Sequence, residues 1–184
     1  MTWKNSNSRY GELAIILHWL MAALIVAVYA LIELRELFPK GSEPRDAMKA
    51  LHFMLGLSVL LLAIPRLAAG LFSPTPRISP QPPAWQKTAA RLGHLTLYIL
   101  MFAMPLAGWL LLSAAGKPIP FFGLHLPALI DPNKELAELI KELHETGGEI
   151  GYFLIAIHAF AALYHHYIQH DDTLRRIIPK PRND

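Results

Sequence analysis

Leu13–Ile32 is an unbroken apolar run of about twenty residues, enough to span the roughly 30 Å hydrocarbon layer of a bilayer. His18 is its one histidine or charged residue. In lipid the backbone has no water to bond, so the run must satisfy its own N–H and C=O groups as a helix. No small-residue cleavage site follows it, so it is expected to stay in the membrane. Three comparable stretches come after it, and the expected helices cover about 11–36, 46–71, 87–115 and 132–170. The second carries His52 near its start, Pro65 inside it, and Arg66 close enough to the far end to snorkel to the headgroups. The third carries His94 near its start, with Pro105 and Gly108 within, which membrane helices tolerate. The fourth is expected to begin at an Asp131–Pro132 cap. Its charged collar places Leu136, Ile140, Leu143 and Gly147 at helical spacing before lipid is entered near Ile150. The fold class is therefore all-α: residues 1–184 form a single domain, an integral-membrane four-helix bundle.

The connections fit that plan. Glu33–Asp46 is a charged turn, and Phe72–Gln86 holds five prolines and reads as a stiff extended link. Lys117–Ile130 is a loop too broken by proline to span, yet apolar enough to lie against the interface. Only 17% of residues are charged, against about 25% in soluble domains. The small net charge of +3 sits in loops and ends, which excludes a nucleic-acid surface and leaves a topology signal. Four helices place both termini on one side. That side collects Lys4, Arg9, Arg66, Arg77, Lys87, Arg91, Arg175, Arg176, Lys180 and Arg182; the other has Arg35, Lys40, Arg45, Lys49, Lys117, Lys134 and Lys141. The positive-inside rule puts the termini in the cytoplasm. The absence of cysteine removes disulfides, thiolate metal sites, iron–sulfur clusters and covalent c-type haem.

With that topology the membrane histidines sort by depth. His18, His94 and His158 fall in the cytoplasmic half, His52 and His144 in the outer half. His144 and His158 stand roughly 21 Å apart along one helix and within about 40° of the same face. Neutral imidazole is a strong haem-iron ligand, and two of them fill both axial positions. Each half thus holds the minimum set for one b haem, two in all. Depth alone leaves His18 and His94 both open as the partner of His158. Gly56, Gly148 and Gly151 offer the close backbone approach that a flat macrocycle between helices needs. A lone membrane histidine can equally hydrogen-bond a backbone carbonyl. A metal-ion or proton pathway would favour carboxylates inside the apolar spans, which hold none. His125 and His170 read as solvated, and His165 and His166 as an interfacial polar belt. One of these last two, with His94, is also placed to meet a quinone headgroup. Arg35, Lys49, Lys117 and Lys141 near the outer rim could meet haem propionates or draw in a small anion.

YGELAIILHWLMAALIVAVYALIELRELFP, MKALHFMLG, RLGHLTLYILMFAMPLAGWLL and LHETGGEIGYFLIAIHAFAALYHHY together resemble the bacterial cytochrome b561 family over nearly the whole chain. The resemblance implies a four-helix inner-membrane protein with two b haems. One would lie on His18 and His158, the other on His52 and His144, leaving His94 and His165 as quinone candidates. It extends to members described as superoxide oxidases, which oxidise superoxide to dioxygen at the periplasmic face and reduce ubiquinone. Ile16 departs from the pattern, standing where the family can have a small hydroxyl residue two before the first ligand. The outer side also carries seven basic and ten acidic residues, so an anion would need a local basic mouth such as Arg35, Lys49 and Lys117.

The expected activity is thus that of a di-haem superoxide:ubiquinone oxidoreductase, with lipid, quinone and a one-electron donor as partners. Two other readings compete. One is an electron-transfer subunit linking a hydrogenase or dehydrogenase partner to quinone. The other is a transmembrane ferric or ascorbate-linked reductase, which would need a basic organic-anion site at the outer face.

Overall fold

The computed structural model describes residues 3–179. Lys180 and Arg182, both counted in the charge balance above, lie outside the described residues. Four long helices carry the architecture: α1 (Glu12–Leu34), α2 (Glu43–Leu71), α3 (Ala84–Ala114) and α4 (Lys134–Tyr167). Each is long and apolar enough to cross a membrane, and the molecule is a membrane four-helix bundle. Its surface agrees: Val26, Ile64, Phe153 and Phe160 each expose more than half their area, as side chains solvated by lipid do.

The helix starts differ from expectation where capping chemistry decides them. α2 opens three residues early, with Ser42 at the cap position and Pro44 in the first turn, where proline costs no hydrogen bond. α3 likewise opens three residues early, after Pro83. Asp131 and Pro132 do not start α4. Asn133 does, its side chain accepting from Leu136 N at 3.0 Å, because the residue that reaches the N3 amide is the cap. In the collar the position that packs is Ala137, buried, whereas Leu139 and Leu143 are exposed. α4 is about 51 Å long at 1.5 Å per residue. Its first turns therefore stand beyond the hydrocarbon layer.

The Lys117–Ile130 segment is a hairpin as well as a loop. β1 (Ile119–Phe121) and β2 (Leu124–Leu126) pair antiparallel. The two-residue turn, Phe122–Gly123, has both φ angles positive, the geometry that matches strand twist. Ile119 is buried against Leu57 and Leu112, and Phe122 N donates to Met54 Sδ. The hairpin thus lies over one end of α2 and α3, on the interfacial side as expected.

The opposite end, which carries both termini, is closed by three segments. Asp172 Oδ1 accepts from Ser79 N at 2.9 Å, and Arg77 N donates to Asn7 O at 2.9 Å. Arg176 donates to Pro76 O, and Arg9 reaches the carbonyls of Arg175 and Ile178. Trp19 Nε1 donates to Ile177 O at 2.9 Å, tying the tail to α1.

Packing between the helices is uneven. α1 packs on α2, α2 on α3, and α3 on α4, but no close backbone approach joins α4 to α1 or α2. Directly packed helices run 8–10 Å apart. α4 therefore faces α1 and α2 across a wider gap that side chains bridge: Tyr29 Oη donates to Gly148 O at 2.8 Å and Tyr152 Oη to Glu33 at 2.7 Å. That gap holds the histidines.

Candidate functional site: two histidine pairs across a helix gap

At the hairpin end of the gap, His52 on α2 faces His144 on α4, with ring centres 6.3 Å apart. At the terminal end, His18 on α1 faces His158 on α4, again at 6.3 Å. An iron held between two opposed imidazole nitrogens, at about 2.0 Å from each, would leave the ring centres roughly 6.3 Å apart. The donor set and its spacing therefore fit a bis-imidazole haem at both levels. His94 on α3 lies 5.6 Å from His158, closer than two such bonds allow. Among the described residues no group of three His, Asp or Glu side chains is arranged to hold a bare metal ion.

The ring nitrogens are set differently at each position. His52 Nδ1 lies 2.9 Å from Val28 O, so it carries the proton and donates, leaving Nε2 as a free ligand. This outer hydrogen bond is the usual support of a metal-bound imidazole. His144 Nδ1 is buried with no hydrogen bond of normal geometry, although the Met104 carbonyl faces it from α3. A Cβ added at Gly108 would touch the His144 ring at 3.4 Å. His18 Nδ1 is contacted instead by Arg66 Nη2 at 2.9 Å, and the His18 ring stacks edge-on against Trp19.

Three expectations change here. Arg66 does not snorkel outward; it turns into the bundle onto His18. The second is the role of the glycines. Gly56, one turn from His52, does face open space, with nothing within 4 Å of an added Cβ. Gly151, by contrast, is where Tyr29 Oη and Leu100 pack onto α4, and Gly148 lends its carbonyl to Tyr29. Gly151 is thus a point of helix contact, whereas at Gly148 an added Cβ would meet only Met104 Cε, at 4.0 Å. Third, the basic rim is largely paired: Arg35 and Arg45 hold Glu36, Lys49 holds Asp46 at 2.9 Å, and Lys141 lies 3.6 Å from Glu145. Lys117 has no carboxylate partner among the described residues.

The two quinone candidates are not brought together. His94 joins the terminal-end pair. His165 is bound through Nδ1 to the buried Asp171 at 2.6 Å, under the tail. Burial pushes the Asp171 carboxyl up, but hydrogen bonds from His165 and Thr173 outweigh it and hold the group below its ordinary range. Ile16 is 53% exposed and points away from the gap. His125 and His170 are exposed, as expected. Tyr29, Tyr152 and Asp171 are the contributors that sequence reasoning did not single out, and Arg66 is one to which it gave a different role.

The model of the prokaryotic cytochrome b561 family matches residues 9–180. Cytochrome b561 homolog 1 of Escherichia coli K12 is 44% identical over 173 residues, 94% of this chain and 98% of the relative. Probable superoxide oxidase CybB of Yersinia pestis is 37% identical over 176 residues, covering 96% and 99%. Cytochrome b561 homolog 2 of Escherichia coli K12 is 32% identical over 185 residues, covering 100% and 98%. The chain belongs to the prokaryotic cytochrome b561 family, a bacterial multi-pass membrane electron-transfer protein of the b-haem type.

Proposed function

We propose that this cytochrome b561 family member is a di-haem superoxide:ubiquinone oxidoreductase of the bacterial inner membrane, with both termini in the cytoplasm. The observation that carries the reading is the equal 6.3 Å spacing of two histidine pairs stacked along one gap. His52 and His144 would hold the outer haem, His18 and His158 the inner one. A b haem with two imidazole ligands passes one electron at a time and keeps no iron site open to dioxygen.

The chain supplies the rest. Val28 O fixes the His52 tautomer. Tyr29 and Tyr152 tie α1 to α4 between the two levels and hold the ligand-bearing faces opposed. Each superoxide gives up one electron and leaves as dioxygen; ubiquinone takes two electrons and two protons to become the quinol. Two superoxides are therefore consumed per quinone. His94, beside the inner pair, and His165, hydrogen-bonded to Asp171, are the candidates to orient the quinone carbonyls and carry those protons. The name of the Yersinia pestis relative supports superoxide as the donor.

Stopped-flow mixing of purified protein, ubiquinone and superoxide tests the activity. Superoxide should disappear faster than in buffer, with quinol formed at one per two superoxides consumed. Decay no faster than in buffer refutes it. The acidic outer side supports one other reading, a docking face for a hydrogenase or dehydrogenase subunit. Haem reduction only in the presence of such a partner would establish that role instead.

A further inference from the structure

Arg66 stands 14 residues beyond His52 on α2, and His158 stands 14 residues beyond His144 on α4. The two helices run in the same direction. A step of 14 residues is about 21 Å along a helix and brings a side chain back near its starting face. At the terminal end, then, α2 offers an arginine at the depth where α4 offers a ligand. The geometry agrees, since Arg66 Nη2 reaches His18 at 2.9 Å.

The cation is not neutralised by the protein. No carboxylate among the described residues pairs with Arg66, and its Nε is buried without a hydrogen-bond partner. A charged group inside a membrane span is costly until an opposite charge meets it. Its one side-chain contact with a histidine is also incompatible with ligation. Arginine has only donors, so His18 Nδ1 accepts from it and that ring carries its proton on Nε2. A histidine that binds metal through Nε2 carries its proton on Nδ1, and there two N–H groups would meet. Ligation by His18 therefore releases the guanidinium toward another acceptor.

We propose that Arg66 is the anion anchor of the inner site, pairing with a carboxylate of the haem held by His18 and His158. This rests on the ligand assignment given under Proposed function. A planar fork of donors suits a carboxylate. A phospholipid phosphate is the same kind of oxyanion, and the experiment separates the two sources.

Haem-stripped protein in phosphatidylcholine nanodiscs is titrated with protohaem and with its dimethyl ester, which has the same ring and iron but no carboxylate charge. The wild type should bind the ester about tenfold more weakly at one of its two sites, the scale of a charge-assisted hydrogen bond. R66Q should lose affinity for protohaem at that site and no longer distinguish it from the ester, and R66K should fall between. Discrimination that persists unchanged in R66Q overturns the proposal, as does an equal loss for both ligands. Should R66Q misfold, the unmutated chain still decides: equal binding of haem and ester at both sites overturns the proposal. Native mass spectrometry provides the other arm. If R66Q loses a tightly bound anionic phospholipid while haem and ester bind alike, lipid phosphate is the partner and the haem anchor is overturned. A wild type that takes up no haem defeats the ligand assignment itself, and with it the anchor, before any variant is compared.

Discussion

His52 Nδ1 donates to the carbonyl oxygen of Val28 across the α1–α2 interface at 2.9 Å. One hydrogen bond thus decides which nitrogen of that ring is free to bind iron, and it is made to backbone, which no side-chain substitution removes. His144, opposite, has the Met104 carbonyl nearby but no hydrogen bond of normal geometry at Nδ1. In metal sites such outer bonds fix ring orientation and raise ligand basicity.

Loss of either ring should nonetheless remove a whole centre, because a bis-imidazole iron needs both. His52→Ala is expected to lower the haem-to-protein ratio from near two to near one, with the outer centre missing. His158→Ala should give the complementary one-haem species. Pyridine haemochromogen assay gives the ratio, and a redox titration shows which centre remains. A ratio unchanged in His52→Ala refutes the assignment.

The glycines separate packing from cofactor space. At Gly151 a new Cβ would meet Tyr29 Oη and come within 3.2 Å of Leu100, so Gly151→Ala should cost about 1–3 kcal/mol of stability. Adding Tyr29→Phe should restore part of it, less the hydrogen bond to Gly148 O, about 1 kcal/mol. At Gly56 an added Cβ meets nothing within 4 Å, so the longer side chain of Gly56→Leu would extend into open space. The substitution should leave the melting temperature of the haem-free protein unchanged while reducing haem per chain. Thermal unfolding in detergent beside haem quantification checks both.

The four spans, and the end of the bundle at which each of His18, His52, His94, His144 and His158 lies, were legible because lipid enforces long apolar helices and makes each polar residue in them conspicuous. Which histidines face each other was half legible. Sequence depth could not choose between His18 and His94, since both sit one or two turns from the same membrane face; the choice depends on which helices leave a gap. Arg66 was misread because a long side chain near a helix end can go either way, and only its 14-residue register with His52 pointed inward. The hairpin was invisible for a different reason. Its turn is Phe–Gly, not the Asn–Gly or Asp–Gly that advertises two positive φ angles.

Acid should loosen the tail before it loosens the bundle. Asp171 is buried, which raises its carboxyl, but the His165 and Thr173 bonds hold it below the ordinary value of 3.8. A depressed folded value means its contribution is fully present above pH 3.8 and is lost as pH falls through that lower value. Protection factors for amide exchange at 171–178, taken relative to the unstructured rate at each pH, should therefore be high at pH 5 and fall only once pH drops below 3.8, with the helix cores still protected. Asp171→Asn should show the fast exchange already at neutral pH. Identical exchange in the variant and the wild type would show that the His165–Asp171 bond does not hold the tail.

Lys117 is where the outer rim can still act on an anion. Arg35 and Arg45 share Glu36, and Lys49 holds Asp46, so two of these three charges are already offset at the distance from which a diffusing ion is steered. Lys117 follows α3 at the base of the hairpin, has no acidic partner among the described residues, and stands on the side of the His52–His144 pair. Reversing its charge should lower the second-order rate with superoxide several-fold at low salt, and the difference should shrink as ionic strength rises and the Debye length falls to about 8 Å. Lys49→Gln, which frees Asp46, should slow the rate less. The midpoint potentials of the haems should not move with Lys117→Glu, because the change acts on encounter and not on the iron. A rate insensitive to both Lys117→Glu and salt would mean that superoxide reaches the outer centre without electrostatic guidance, or that it is not the donor; haem reduction by superoxide in a single turnover decides between these.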